Sequence, residues 1–171
     1  MNRKDILLAA LSGVLLALAF PLFDIELLAW IALVPLIFSI KGKNQLQSIY
    51  LGITAGVVFN LILLYWIPVP ITVYGKLPIP AGIFFLLLLA SYLSLYTGTF
   101  TFLMTFFRTK MGIPLVIIAP VVWVSLELLL TYFLTGFPWG VLGYSQYLNL
   151  PVIQIADVTG VYGISFVIIV V

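Results

Sequence analysis

The sequence predicts an all-α protein, a polytopic transmembrane helix bundle of about six helices with the last one truncated. Three observations carry this expectation. Of the 171 residues, 64% are hydrophobic and only 7% are charged. The seven Lys or Arg and five Asp or Glu are also spaced to leave long neutral runs, 6–23, 44–75, 77–107, 111–126 and 128–156. An ordinary soluble domain is about half apolar and about a quarter charged, and a helix needs about 20 apolar residues to cross the hydrocarbon of a bilayer. Lipid is the solvent this composition demands.

The whole chain reads as one transmembrane domain. Residues 6–22 predict a first helix behind Arg3 and Lys4. Its Ala17-Leu18-Ala19 superficially resembles a secretory cleavage site. A second apolar stretch, 25–40, begins at once, however, so the two predict a tight hairpin of short helices with Pro21 at the turn. A third helix is expected over 46–67 and a fourth over 81–107, the latter about 40 Å long at 1.5 Å per residue. Between them Pro68, Pro70, Pro78 and Pro80 predict an extended surface loop. A fifth helix is expected over 114–135. After a segment rich in Gly, aromatics and amides, a sixth runs over 158–171 and stops without a flanking charge or cap, as a helix cut short would.

Basic residues near helix ends are held on the cytoplasmic side. With the N-terminus inside, Arg3, Lys4, Lys41, Lys43, Arg108 and Lys110 all fall inside and Lys76 outside. Residues 67–80 and 136–157 then face outward, with Trp and Tyr at headgroup level. Small or polar groups line one face of three helices: Ala9, Gly13 and Ala17; Gly52, Gly56 and Asn60; Ser94, Gly98, Thr101 and Thr105. In lipid such faces let helix backbones approach closely.

The chain has neither Cys nor His, which removes thiol nucleophiles, imidazole bases and the usual zinc or haem ligands; no metal and no cofactor is expected. The net charge of +2 is scattered, so nucleic acid is not an expected partner. Glu127 lies well inside a predicted span, about 20 Å along its helix, where an ionisable group is a functional candidate by default. The alternative is a carboxyl that holds helices together through Asn60 or a Thr of the fourth helix. Thr135-Gly136-Phe137-Pro138-Trp139-Gly140, followed by Gly143-Tyr144-Ser145-Gln146, predicts a rigid turn in the headgroup layer, with hydrogen-bonding groups for a lipid head. It equally suits an aromatic belt that anchors a helix end. Its glycines make no phosphate loop, since no Lys follows them. Ser145 has neither a nucleophile-elbow setting nor a His partner.

Five segments, in this order, resemble the apolipoprotein N-acyltransferases of bacterial inner membranes: Leu18-Ala19-Phe20-Pro21 with Phe23-Asp24; Tyr92-Leu93-Ser94-Leu95-Tyr96-Thr97-Gly98; residues 134–139; residues 143–146; and Thr159-Gly160-Val161-Tyr162-Gly163. The resemblance covers nearly the whole chain. It implies eight membrane helices and an outward-facing nitrilase-like domain whose glutamate, lysine and cysteine take an acyl chain from a phospholipid as a thioester. That chain then passes to the N-terminal amino group of a diacylglyceryl-modified apolipoprotein. The catalytic domain is absent from these residues, so no catalytic residue is expected here and the chain alone is expected to be inactive. What carries over is the membrane platform, with Glu127, Phe137, Pro138, Trp139, Tyr144 and Gln146 as lipid or substrate-binding candidates. One departure stands out: the resemblance implies an Arg three residues after Glu127, and here that residue is Leu130. A small transporter lined by Glu127 and Asn60, or a non-catalytic lipid-binding subunit, remains an alternative on the residues themselves.

Overall fold

The computed structural model describes residues 1–171, apart from the side chain of Thr135. It is helical throughout, with no strand among the described residues. Helix α1 (Arg3–Leu18) leads into a turn and a 3₁₀ segment (Glu26–Trp30), then α2 (Val34–Ser39), α3 (Gln45–Leu63), α4 (Pro68–Val73) and α5 (Ile79–Phe106). A π-helical turn (Phe107–Met111) and α6 (Leu115–Tyr132) follow, and after two further 3₁₀ turns come α7 (Leu150–Ile153) and α8 (Ala156–Val170). Helix α3, the α5 helix with its π turn, and α6 are long and apolar enough to cross a membrane. Their outward faces carry side chains such as Phe84, Leu88, Val116 and Ile117, each more than half exposed. Those faces need lipid.

The closest packing joins α3 to α5. A Cβ at Gly52 would fall on Thr101 Oγ1 and within 2.5 Å of the Thr97 carbonyl oxygen, and one at Gly56 would lie 2.8 Å from Ser94 Cα. Only glycine lets these backbones meet. Hydroxyls then bridge the two helices: Thr101 Oγ1 donates to the Ser48 carbonyl (2.7 Å) and Thr105 Oγ1 to Ser48 Oγ (2.8 Å). Helix α1 packs on the other side of α3, where Gly13 meets the backbone of Ala55, and its Ser12 hydroxyl donates to the Ala32 carbonyl. Lys43 Nζ pairs with Asp5 Oδ2 at 2.6 Å, which fixes the starts of α1 and α3 at the same end of the bundle. Leu16, Leu36, Leu51, Phe100 and Met104 fill the interior.

The structure departs from the sequence expectation at the helix breaks. The 25–40 stretch is not one helix. It is a 3₁₀ segment and the short α2, which starts with Pro35 in its first turn, where a missing N–H is harmless. Helix α3 ends at Leu63 rather than at 67. Residues 68–73, expected as extended loop, form α4, again with proline in the first turn. Helix α6 stops at Tyr132, since Leu134 (φ 48°) and Gly136 (φ 77°) turn the chain out of helical geometry. Helix α8 begins at Ala156 and is broken at Gly160 (φ 65°, ψ −178°), a conformation essentially confined to glycine.

Gly52→Leu is expected to force α3 and α5 apart and to cost about 1–3 kcal/mol or more through overpacking, read as a lower thermal midpoint in detergent. Leu46→Ala, at a site 60% exposed, is expected to change stability by no more than about 0.5 kcal/mol.

Candidate functional site

At the end of the bundle remote from Lys43, the segment after α6 folds back over α3. Its first anchor is backbone: Phe137 N–H donates to the Leu130 carbonyl at 3.0 Å. Its second is Gly140, whose φ of 90° suits glycine and whose absent Cβ would have stood 2.7 Å from Leu63 Cδ2 and 3.3 Å from Phe59 Cζ. The third is the buried Glu127, five residues before α6 ends. Its Oε1 accepts from the Leu142 N–H at 2.6 Å and from the Trp123 indole N–H at 2.8 Å. The 3₁₀ turn Leu142–Gln146 is thereby hung from a side chain of the neighbouring helix. Gly143 N–H donates to Ser165 Oγ at 2.8 Å, which fixes the same turn to α8.

The surroundings of Glu127 differ from those the sequence offered. Among the described residues its carboxyl meets the Trp123 indole, the Leu142 amide and the Ser165 hydroxyl, not Asn60 or a threonine of α5. Asn60 Nδ2 instead donates to Gly56 O within its own helix at 2.8 Å. Leu130, standing where the resemblance implies Arg, brings no charge to the carboxyl, and Glu127 Oε2 is buried with no hydrogen-bond partner among the described residues. Glu127, Asn60 and Tyr96 line a partly open pocket of about 50 Å³, room for a few waters rather than for a passing solute.

A larger groove of about 640 Å³ opens beside it, between the hairpin turn at Phe20 to Leu22, the end of α3 and the 138–147 segment. Its size is that of a small-molecule or lipid-chain site. Pro138, Trp139 and Tyr144 line it, three of the six candidates named from the sequence, and Tyr65, Trp66 and Tyr147 join them. Trp139 is 53% exposed, rests on Trp66 with ring centroids 5.1 Å apart, and stacks with Phe137 at 6.2 Å. Trp139 and Gly140 line both the groove and the pocket at Glu127, so the two spaces adjoin there. Tyr147 donates its hydroxyl to Asp24 Oδ1 at 2.8 Å, which holds the hairpin turn against the groove and raises the phenol above its ordinary pKa.

Gln146 is placed differently. It is fully buried, donating to the Glu26 carbonyl at 2.9 Å and accepting from the Trp30 indole at 3.1 Å. It therefore clamps the 3₁₀ segment of the second apolar stretch instead of meeting the groove. Ser145 is buried too, its hydroxyl given to the Leu142 carbonyl at 2.7 Å. The sequence reading missed Trp123, although its spacing four residues before Glu127 on one helix face was a usable signal. It also missed Ser165 and the Leu142 amide, for which no local signal exists. The arrangement can hold an apolar chain under an aromatic rim; it presents no nucleophile with a base beside it.

Glu127→Ala is expected to leave the Leu142 N–H and the Trp123 indole unpaired, at about 1–3 kcal/mol for each buried group, and to accelerate amide exchange across residues 141–146. Glu127→Gln keeps an acceptor oxygen in place and is expected to exchange as wild type does. Hydrogen–deuterium exchange read by mass spectrometry separates the two.

The sequence pattern described as the apolipoprotein N-acyltransferase N-terminal domain matches residues 12–171. Among curated relatives, the apolipoprotein N-acyltransferase of Geobacter metallireducens is 47% identical over 166 residues, 97% of this chain and 32% of the relative. That of Wigglesworthia glossinidia brevipalpis is 40% identical over 139 residues, covering 80% of this chain and 27% of its own. That of Pasteurella multocida is 32% identical over 159 residues, or 93% and 30%. The chain spans about a third of the length of these relatives. A helical membrane bundle, matched over nearly all its residues by this domain pattern, belongs to the apolipoprotein N-acyltransferase family, of which it is the N-terminal membrane portion.

Proposed function

We propose that this chain is the membrane platform of a bacterial apolipoprotein N-acyltransferase, set in the inner membrane with its N-terminus in the cytoplasm, and that the groove bordered by Trp139 and Tyr144 receives an acyl chain of the phospholipid donor. One observation carries the reading: an apolar groove of about 640 Å³ with an aromatic rim lies at the end of the bundle opposite Lys43 and Arg108. Burying a methylene is worth about 0.8 kcal/mol, so such a groove can hold a lipid tail in register while its head stays among the Tyr side chains. The acyl acceptor is the amino group of a diacylglyceryl-modified apolipoprotein. These residues contain no cysteine, so thioester chemistry belongs to residues outside them, and the resemblance assigns it to a nitrilase-like domain above this face. Phe137 supports Trp139 from behind, stacked on its ring. The family relationship and the groove's position favour this reading over a transporter, for which the space at Glu127 is too small.

Two outcomes are expected. Because the chain lacks cysteine, single Lys43→Cys and Tyr144→Cys variants can be labelled with a membrane-impermeant maleimide in intact spheroplasts. Tyr144→Cys should label and Lys43→Cys should not until the membrane is opened; equal labelling rejects the proposed orientation. In the complete enzyme, Trp139→Ala with Tyr144→Ala is expected to lower apolipoprotein acylation about tenfold, a loss of about 1.4 kcal/mol, chiefly through the apparent KM for phospholipid. Wild-type kinetics in that double variant would remove the groove from the mechanism.

A further inference from the structure

At the other end of the bundle a second cavity, of about 250 Å³, lies between the start of α3 and the end of α5. Lys43 and Arg108 line it together with Thr105 and Thr109, against an apolar wall formed by the half-buried Leu115 over the buried Ile40 and Met104. Lys43 also ties the starts of α1 and α3 together through Asp5, while Arg108 has no such partner among the described residues. We infer that it is a binding site for an anionic phosphate group, that of a phospholipid headgroup in the leaflet at this end of the bundle.

The argument begins with hydrogen-bond capacity. Thr109 Oγ1 already donates to the Thr105 carbonyl at 2.7 Å and Thr105 Oγ1 to Ser48 Oγ at 2.8 Å, so neither hydroxyl has a proton left for a ligand. The two cations do. Lys43 gives one ammonium donor to Asp5 and keeps two, and Arg108 has five donors with no hydrogen bond or ion pair among the described residues. Asp5 is the acid that faces this cluster, and Lys43 neutralises it, which leaves the Arg108 charge uncompensated. A planar guanidinium matches a phosphate through two parallel hydrogen bonds. The neighbouring wall is apolar, as the glycerol and first methylenes of a lipid require. A free inorganic phosphate satisfies the cations but leaves that wall bare, so the lipid is the better fit.

A π-helical turn (Phe107–Met111) carries Arg108. It widens the end of α5 and is followed by Gly112 in the left-handed region (φ 67°), a turn after which Leu115 at the start of α6 returns to line the same cavity. The site does not depend on the acyl-chain groove at the opposite end.

The test uses the full chain in detergent, with dioleoylphosphatidylglycerol, dioleoylphosphatidylcholine and inorganic phosphate as separate probes, read by native mass spectrometry and thermal midpoint. Phosphatidylglycerol is expected to bind and to raise the midpoint more than phosphatidylcholine does. Arg108→Gln should weaken that binding about fivefold, the worth of one basic contact, and Arg108→Lys should weaken it less. Lys110→Gln, outside the cavity, serves as the measure of general surface charge. Equal binding of the two lipids, or equal losses for Arg108→Gln and Lys110→Gln, would overturn the site. Displacement of the lipid by inorganic phosphate would uphold the anion site and reassign its ligand to the free ion.

Discussion

The close approach of α3 and α5 is the constraint on which the other features rest. In hydrocarbon no hydrophobic force drives one helix against another, so association depends on backbone proximity and on hydrogen bonds between helices. Gly52 and Gly56 supply the first and the Ser48, Thr101 and Thr105 hydroxyls the second. The same two helices also carry Leu51, Phe100 and Met104 into the interior. Phe59 and Asn60 of α3 and Tyr96 of α5 line the pocket at Glu127, while Lys43 just before α3 and Arg108 just after α5 line the basic cavity. One helix pair thus contributes to both.

What the bundle does with irregular backbone follows from the same solvent. Within a membrane every peptide group needs a partner inside the protein, and the segment between α6 and α8 has several such groups to satisfy. The Leu142 N–H finds Glu127, the Gly143 N–H finds Ser165, and the Phe137 N–H finds the Leu130 carbonyl. Two of these anchors come from the last turns of α6 and one from α8, so the segment is held at residues 137, 142 and 143 rather than at its ends alone. A loop tied in this way can carry Trp139 in a fixed place at the groove.

The long helices were legible because charges are sparse where apolar helices run: the neutral runs 44–75 and 77–107 contain α3 and α5, and α6 is interrupted by a charge only at Glu127. The breaks were not, and the reason is tertiary. The second apolar stretch looks continuous in sequence, yet its 3₁₀ segment is held by Gln146, whose amide reaches the Glu26 carbonyl and the Trp30 indole across more than a hundred residues. No local pattern encodes such a contact. The same holds for Gln146 itself, which composition places in a headgroup-facing loop and the fold buries completely. The aromatic-rich turn was different. Pro138, Trp139 and Tyr144 were recognisable as a group because rigid turns with amphipathic rings are the usual material of a membrane interface, and the fold does bring them to one groove.

Glu127 shows why a buried acid can be structural and still sit next to a site. A leucine in its place would orphan two N–H groups at once, the Trp123 indole and the Leu142 amide. A single acceptor oxygen satisfies both. That requirement uses only Oε1, and it would be met as well by an amide. The second oxygen is buried and makes no direct hydrogen bond among the described residues, with the Ser165 hydroxyl nearby and Leu130 rather than a cation on the next turn. The position therefore meets a structural demand that any acceptor can meet. Since Trp139 and Gly140 line both the pocket at Glu127 and the groove, a change at either residue acts on both spaces at once.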